Sequence, residues 1–296
     1  MTGAAAPPSI SDGLSAIVID AQGKILARTT ATVAGFSGRD LEPGRFLDEA
    51  DTLFGEAFYE CVNTASRTGE RQFERKLESD NGHVVDLWFQ PCSAGQPAAD
   101  GAVVVITDEA PDGNDQSGRH NLQNILAQVR GLVTLGQKEA GSLAHFAGLF
   151  CDRVDVLIAV DALYAGSDTA PLRTVIERAA SVVGLSGIAL DGADFATARA
   201  LALPLALILH EWSSPLARHA HPTQVGPDQS PIAVAWRMEG ADLLIDWSET
   251  GANEYAGRAS ALADRMVEAT VYRAGGIVHE RETRDGMRRT IRLPVA

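Results

Sequence analysis

The sequence predicts an α+β protein: an α/β segment, a two-helix hairpin, then an α/β sandwich. Three observations carry this. Apolar residues alternate with period two over the first hundred residues, switch to helical spacing near residue 120, and return to a mixed pattern after about residue 167. A length of 296 residues matches about two folded domains, and an apolar fraction of 45% is ordinary for globular protein. Each element follows in order.

Residues 1–13, "MTGAAAPPSISDG", carry neither a charged n-region nor an apolar h-region and read as a flexible leader. Residues 14–109 form the first segment. "AIVID", "AQGK" and "ILARTTA" read as strand, tight turn and strand. Leu53, Phe54, Ala57, Phe58, Cys61, Val62 and Ala65 fall at helical spacing. "FERKLESDNGHVVDLWFQ" is a hairpin hinged on Asn81–Gly82, and "GAVVVITDE" is a closing buried strand. Two strands, helices, then three strands, with "TGE" before the third strand and Asp108 after the last, resembles a PAS sensor domain. PAS domains that bind flavin covalently carry a cysteine in an "NCRFLQ"-like helix. Nothing here matches it, so Cys61 reads as core and the sensor ligand is unassigned.

Residues 110–118 read as a polar linker. From 119 to 166 the pattern is a helical hairpin. Leu122, Ile125, Leu126, Val129, Leu132, Val133 and Leu135 stripe its first helix, and Leu143, Phe146, Leu149, Phe150, Val154, Leu157 and Val160 its second. Two helices cannot bury both stripes against each other alone. The expected cover is a second copy, giving a homodimeric four-helix bundle; burial by the flanking segments of the same chain is the alternative. Residues 167–296 then read as helix, short strand, long apolar helix, a hairpin about "MEGAD", a further helix, and a hairpin at Asp285–Gly286. The "RETRDGMRR" cluster in that last hairpin reads as solvated.

Charge and cysteine content exclude several classes. A net charge of −14 argues against a nucleic-acid partner, whose phosphates need a basic face. "LALPLALIL" falls well short of the roughly 18–20 apolar residues that cross a bilayer, so no membrane association is expected. Three cysteines without CxxC spacing and without a secretory signal point to a reduced, cytoplasmic protein. "HEWSS" lacks the second histidine of HExxH, and neither a P-loop, a GxGxxG nor a full GxSxG is present.

The motifs with chemistry lie beyond residue 118. "HNLQNILA" resembles the H-box of HWE-type sensor histidine kinases, with His120 at the phosphoacceptor position and Asn124 one turn on. "LILHE" supplies His210 and Glu211, "LLIDWSETG" supplies Trp247, Ser248 and Glu249, and the chain closes on the family's Gly-Gly, strand, turn, strand, Leu-Pro ending. The resemblance spans residues 119–296 in order. It implies a nucleotide-binding domain, with His210, Glu211 and Glu249 as nucleotide contacts, a receiver-domain partner, and phosphoryl transfer through His120.

Departures from the pattern fall on the phosphate side. Aligned on His210–Glu211, Pro215 stands where the family has its Mg²⁺-holding asparagine, and proline offers no ligand and removes a helical N–H. The glycine box becomes Ala261–Leu262–Ala263–Asp264, whose β-carbons and carboxylate oppose a phosphate. Ala252 replaces a further glycine. The expectation is therefore phosphoryl transfer between His120 and a receiver aspartate, in either direction or to water, with impaired ATP use and no cofactor required. A neutral imidazole is nucleophilic near neutral pH, the transfer is mainly positioning, and the receiver's own pocket would bring Mg²⁺. Trp247, alternating with Leu243 and Ile245, reads as packing. Two other readings stay open: an active autophosphorylating kinase using ATP and Mg²⁺, and a non-enzymatic sensor or scaffold that binds a response regulator.

Overall fold

The computed structural model describes residues 14–30, 41–46, 64, 72–78, 84–93, 100–108, 116–138, 140–185, 187–219, 232–250, 261–284 and 286–295. It is a mixed helix-and-sheet protein of two compact units, Met1–Ile158 and Ala159–Ala296. The helix expected between Leu53 and Ala65 and the Asn81–Gly82 turn lie outside the described residues.

The first unit is built on an antiparallel sheet of β1 (Leu14–Asp20), β2 (Ile25–Arg28), β3 (Gln72–Glu78), β4 (Val84–Cys92) and β5 (Gly101–Asp108), in the order β2-β1-β5-β4-β3. The β1–β2 turn is tight because the Asp20 carboxylate accepts the N–H groups of Gln22 and Lys24, each at 2.9 Å, while Gly23 adopts φ 81°. Consecutive residues of β1 and β5 are buried irrespective of parity. Strand side chains alternate between faces, so this pattern means that both faces of the sheet are covered. Register separates them. Trp88, Val105 and Ala16 share one face; Phe89, Val104 and Ile17 share the other.

The Trp88 face is covered by the helical hairpin of α1 (Gln116–Gly136) and α2 (Leu143–Asp161). The guanidinium of Arg130 lies 5.8 Å from the Trp88 ring centre, and the Gln137 side-chain amide donates to the Pro91 carbonyl at 3.3 Å. Asp155 on α2 accepts from the Thr30 N–H at 2.8 Å and its hydroxyl at 3.0 Å. Ser142 caps α2 by accepting the His145 N–H at 3.2 Å.

Ile125, Val129, Leu132 and Val133 of α1, and Phe146, Phe150, Val154 and Leu157 of α2, are buried within the chain itself. These residues of the two stripes are buried within the same chain, while Leu126, Leu135, Leu143 and Leu149 are half-buried. Among the described residues the exposed large apolar side chains are Phe46, Met238, Tyr272 and Ile277, none of which is on this hairpin.

Close approach of α2 to β5 depends on Gly101. A Cβ there would run into the Ile19 carbonyl and lie 2.7 Å from a Leu143 methyl. Gly101→Val is expected to cost about 1–3 kcal/mol by overpacking. Hydrogen exchange should accelerate across residues 143–158 in that variant, and unchanged protection there would refute the contact.

The second unit carries a mixed sheet in the order β11-β12-β10-β9-β7: β7 (Ala189–Gly192) runs parallel to β9 (Ile232–Glu239), while β10 (Asp242–Thr250), β11 (Ile277–Thr283) and β12 (Gly286–Pro294) are antiparallel. Its helices are α3 (Leu172–Val182), α4 (Arg199–His219) and α5 (Ala261–Arg273). Two three-residue strands, β6 (Thr169–Pro171) and β8 (Ala196–Ala198), pair with each other. The buried sheet face presents Ile232, Val234, Trp236, Leu243, Ile245, Trp247, Ile291 and Leu293. The opposite face is charged: Arg237 pairs with Asp246 at 2.7 Å and Arg292 with Asp242 at 2.6 Å. Asp161 takes Arg199 in two contacts, at 2.6 and 2.5 Å, and so anchors the start of α4.

Candidate functional site

The candidate residues fall in two places. His120 and Asn124 lie in the first unit, and His210, Glu211 and Glu249 in the second.

Helix α1 begins at Gln116, so its first turns cover part of what reads as linker in the sequence and carry His120 as the fifth helical residue. Asn124 follows after four residues, about one turn of a 3.6-residue helix. The placement of their side chains lies outside the described residues. The helix has no acidic residue in its first turn.

In the second unit α4 is rich in alanine and leucine, strong helix formers that hold a long regular helix despite Pro204 and Pro215. Pro215 lies inside the helix, and its missing N–H is the one that would bond the Glu211 carbonyl. His210, Glu211 and Trp212 are all buried. Three successive residues sweep roughly 200° around a helix, so α4 is covered on more than one side here. The Ser214 hydroxyl donates to the His210 carbonyl at 2.7 Å and lies 3.3 Å from His210 Nε2.

Trp212 leads to the sheet. Its ring is tilted against Trp247 with centres 5.8 Å apart, and Arg289 stacks over it at 5.5 Å. Trp247 Nε1 donates to Glu249 Oε1 at 2.7 Å, and Arg289 Nη1 donates to the same oxygen. Arg289 Nε donates to Glu280 at 3.2 Å. Glu249 and Arg289 have side-chain exposures of only 7% and 9%. A carboxylate so withdrawn from water needs a cation or several donors, and Arg289 supplies the cation.

Trp247 packs as its alternation predicts. Arg289 corrects the reading of "RETRDGMRR" as solvated: Arg281, Glu282, Arg284 and Arg288 are exposed, but Arg289 is buried. The signal was available. Counting back by twos from Leu293 and Ile291 reaches position 289 on the apolar face, directly opposite Trp247.

A nucleotide would meet unequal ends in this unit. At Glu249 both described contacts finish on Oε1, leaving Oε2 as an acceptor suited to a base amino group. The other end carries an acidic residue. The segment that replaces the glycine box is the first turn of α5, and Asp264 sits in that turn. An amide-rich helix start that would attract a phosphate is already complemented by the chain's own carboxylate. His210 and Glu211 are enclosed in α4 packing.

Cys92 and Cys151 are buried thiols. Burial, reinforced by Asp100, pushes Cys92 up to about 12, and burial pushes Cys151 up as well, so neither is a thiolate nucleophile near neutral pH. Among the described residues no group of three or more His, Cys, Asp or Glu side chains could hold a metal, and no helix is long and apolar enough to cross a membrane.

No family model matches the chain. A blue-light-activated histidine kinase of Rhizobium johnstonii is 28% identical over 137 residues, which cover 45% of this chain and 38% of that protein. The chain thus matches well under half the length of that relative. The solved structure of the Erythrobacter litoralis EL346 blue-light activated histidine kinase superposes with a TM-score of 0.66 at 18% identity, covering 96% of this chain and 95% of the other. The fold of that protein is therefore shared across nearly the whole chain.

Proposed function

We propose, from its kinship with the HWE-type sensor histidine kinases, that this chain is a two-component signalling protein moving phosphoryl groups between His120 and a response-regulator aspartate. Transfer breaks the bond between phosphorus and a ring nitrogen of His120 and forms one to a carboxylate oxygen of the receiver; the reverse step reloads the histidine. Asn124, four residues on in the same helix, would orient the phosphoryl group, or a water that removes it. ATP is a poor donor here. The observation that carries this is the first turn of α5, where helix and the Asp264 carboxylate replace a glycine-rich phosphate cradle. Pro215 in α4 supports it, because proline cannot ligate Mg²⁺. The alternative of an autophosphorylating kinase requires both ends of the nucleotide to be held.

Calorimetric titration of the full chain with ATP, with and without Mg²⁺, separates the two. The expected result is no gain in affinity from Mg²⁺ and no acid-labile label on the protein from radiolabelled ATP. Mg²⁺-dependent binding followed by His120-dependent labelling would overturn the proposal.

A further inference from the structure

The charged outer face of the second sheet pairs some of its arginines and not others. Register aligns three strands there. Arg281 of β11 lies directly opposite Arg288 of β12, and Arg288 opposite Ser248 of β10. One step along, His279 lies opposite Thr290, and Thr290 opposite Asp246. Arg237 and Arg292 each hold a carboxylate of this face, Asp246 and Asp242. Arg281 and Arg288 are exposed and, among the described residues, form no ion pair. Asp246 stands diagonal to Arg288 but already accepts Arg237 and the Thr290 hydroxyl, both at 2.7 Å. Like charges directly opposite on one face weaken a sheet. A chain with 39 acidic against 25 basic residues thus keeps an arginine pair that has no carboxylate of its own. β11 is also an edge strand, paired among the described residues only with β12. Such an edge presents a row of main-chain N–H and C=O groups, and charge on it guards against stray pairing. That guard accounts for Arg281 but not for Arg288, which lies one strand further in.

We propose that this edge docks an extended segment of a partner protein that carries acidic residues at every second position and adds to the sheet beside β11. The backbone of the segment takes up the open row of main-chain groups. Its carboxylates meet Arg281 across the new strand pair, and strands only about 4.8 Å apart let the long Arg288 side chain lean toward the same groups. Alternation is what selects a polypeptide. Along β11, His279 and Arg281 lie on the outer face, Glu280 and Glu282 on the other. A polyphosphate or a nucleic acid spreads its charge evenly and would meet Glu280 and Glu282 as often as Arg281. An acid-alternating strand turns neutral side chains to those glutamates instead. A second copy of this chain fits poorly. Two-fold antiparallel pairing over the whole of β11 puts Glu280 opposite Glu280. Centred on Arg281, it puts Arg281 opposite Arg281 and Glu280 opposite Glu282. The inference is independent of the phosphotransfer reading, which rests on other residues.

The test is fluorescence anisotropy of the full chain with labelled, end-capped probe peptides. The first is Thr-Glu-Thr-Glu-Thr-Glu-Thr. The second, Thr-Lys-Thr-Lys-Thr-Lys-Thr, reverses the charge, and the third, Thr-Thr-Glu-Glu-Glu-Thr-Thr, keeps the charge without the alternation. The first is expected to bind at least about tenfold tighter than either control. Arg281→Thr, which keeps a good strand former, should weaken it about tenfold, and Arg288→Thr about threefold. Arg292→Thr should change binding little, because Arg292 is already engaged by Asp242. Since Arg281 and Arg288 repel each other, Arg281→Thr and Arg288→Thr should unfold at or above the wild-type temperature. A clear fall in that temperature would show that the fold itself uses the two arginines and would overturn the proposal. No saturable binding of the first peptide up to about 1 mM, equal binding of the third, or equal weakening by all three variants overturns it as well. Displacement of the first peptide by an equal concentration of tripolyphosphate would assign the arginine pair to a phosphate ligand and reject the docked strand.

Discussion

Replacing His120 by alanine is expected to abolish exchange of label between the protein and a phosphorylated receiver domain. A methyl group has no lone pair to accept phosphorus, so the expected loss is at least about a hundredfold, down to the uncatalysed background. Asn124→Ala should behave differently. It keeps the nucleophile and removes only a group placed to orient the phosphoryl or a water, so about a tenfold reduction is expected, concentrated in the rate of transfer or hydrolysis rather than in receiver binding. The check is a time course of label on both proteins, with receiver affinity measured separately. Equal behaviour of His120→Ala and wild type would remove the basis for the proposed function. Loss of transfer that is matched by loss of receiver binding in the same variant would point to a docking role for this helix.

The second large effect is structural. Arg289→Met leaves the Glu249 carboxylate in a largely buried place with only Trp247 donating to it. Breaking one side of a buried pair costs about 3–5 kcal/mol, because the remaining charge is desolvated without compensation. For a unit of this size that corresponds to a fall of roughly 10 °C in the unfolding temperature of the C-terminal unit. The double variant Arg289→Met, Glu249→Gln should recover much of the loss, since no charge is then left unpaired. Thermal melts of the three proteins measure this. A single variant as stable as wild type would show that the ion pair contributes nothing to the fold. A double variant no better than the single one would show that packing of Arg289 over Trp212, rather than charge, is what the fold uses.

Much of the architecture is visible in the chain because it rests on local periodicity. The apolar runs "AIVID" and "GAVVVITD" become β1 and β5, and the repeat from Ile125 to Val133 becomes the buried side of α1. The hairpin about Gly240 and Ala241 is equally local, since glycine with φ 65° lets the chain reverse between β9 and β10. The small β6–β8 pair is not legible. Three-residue strands have no period to detect, and their pairing joins segments separated by more than 20 residues. The site divides in the same way. His120 and Asn124, or Trp247 and Glu249, sit at fixed spacings within one element, whereas Arg289 belongs to the site only through strand register.

By itself the chain determined its element types and the apolar faces of those elements, and it put His120 and Asn124 one helical turn apart and Pro215 and Asp264 inside helices. Those are consequences of residue type and spacing, which act over one or two turns. Only the tertiary structure decided what each face meets. The stripe of α1 and α2 lies on the Trp88 face of its own sheet, and one arginine out of a charged run is drawn beneath Trp212 to neutralise Glu249. Periodicity says which side chains point the same way; the partner across the gap is set by burying the most apolar surface while leaving no charge unmatched, a balance struck over the whole unit.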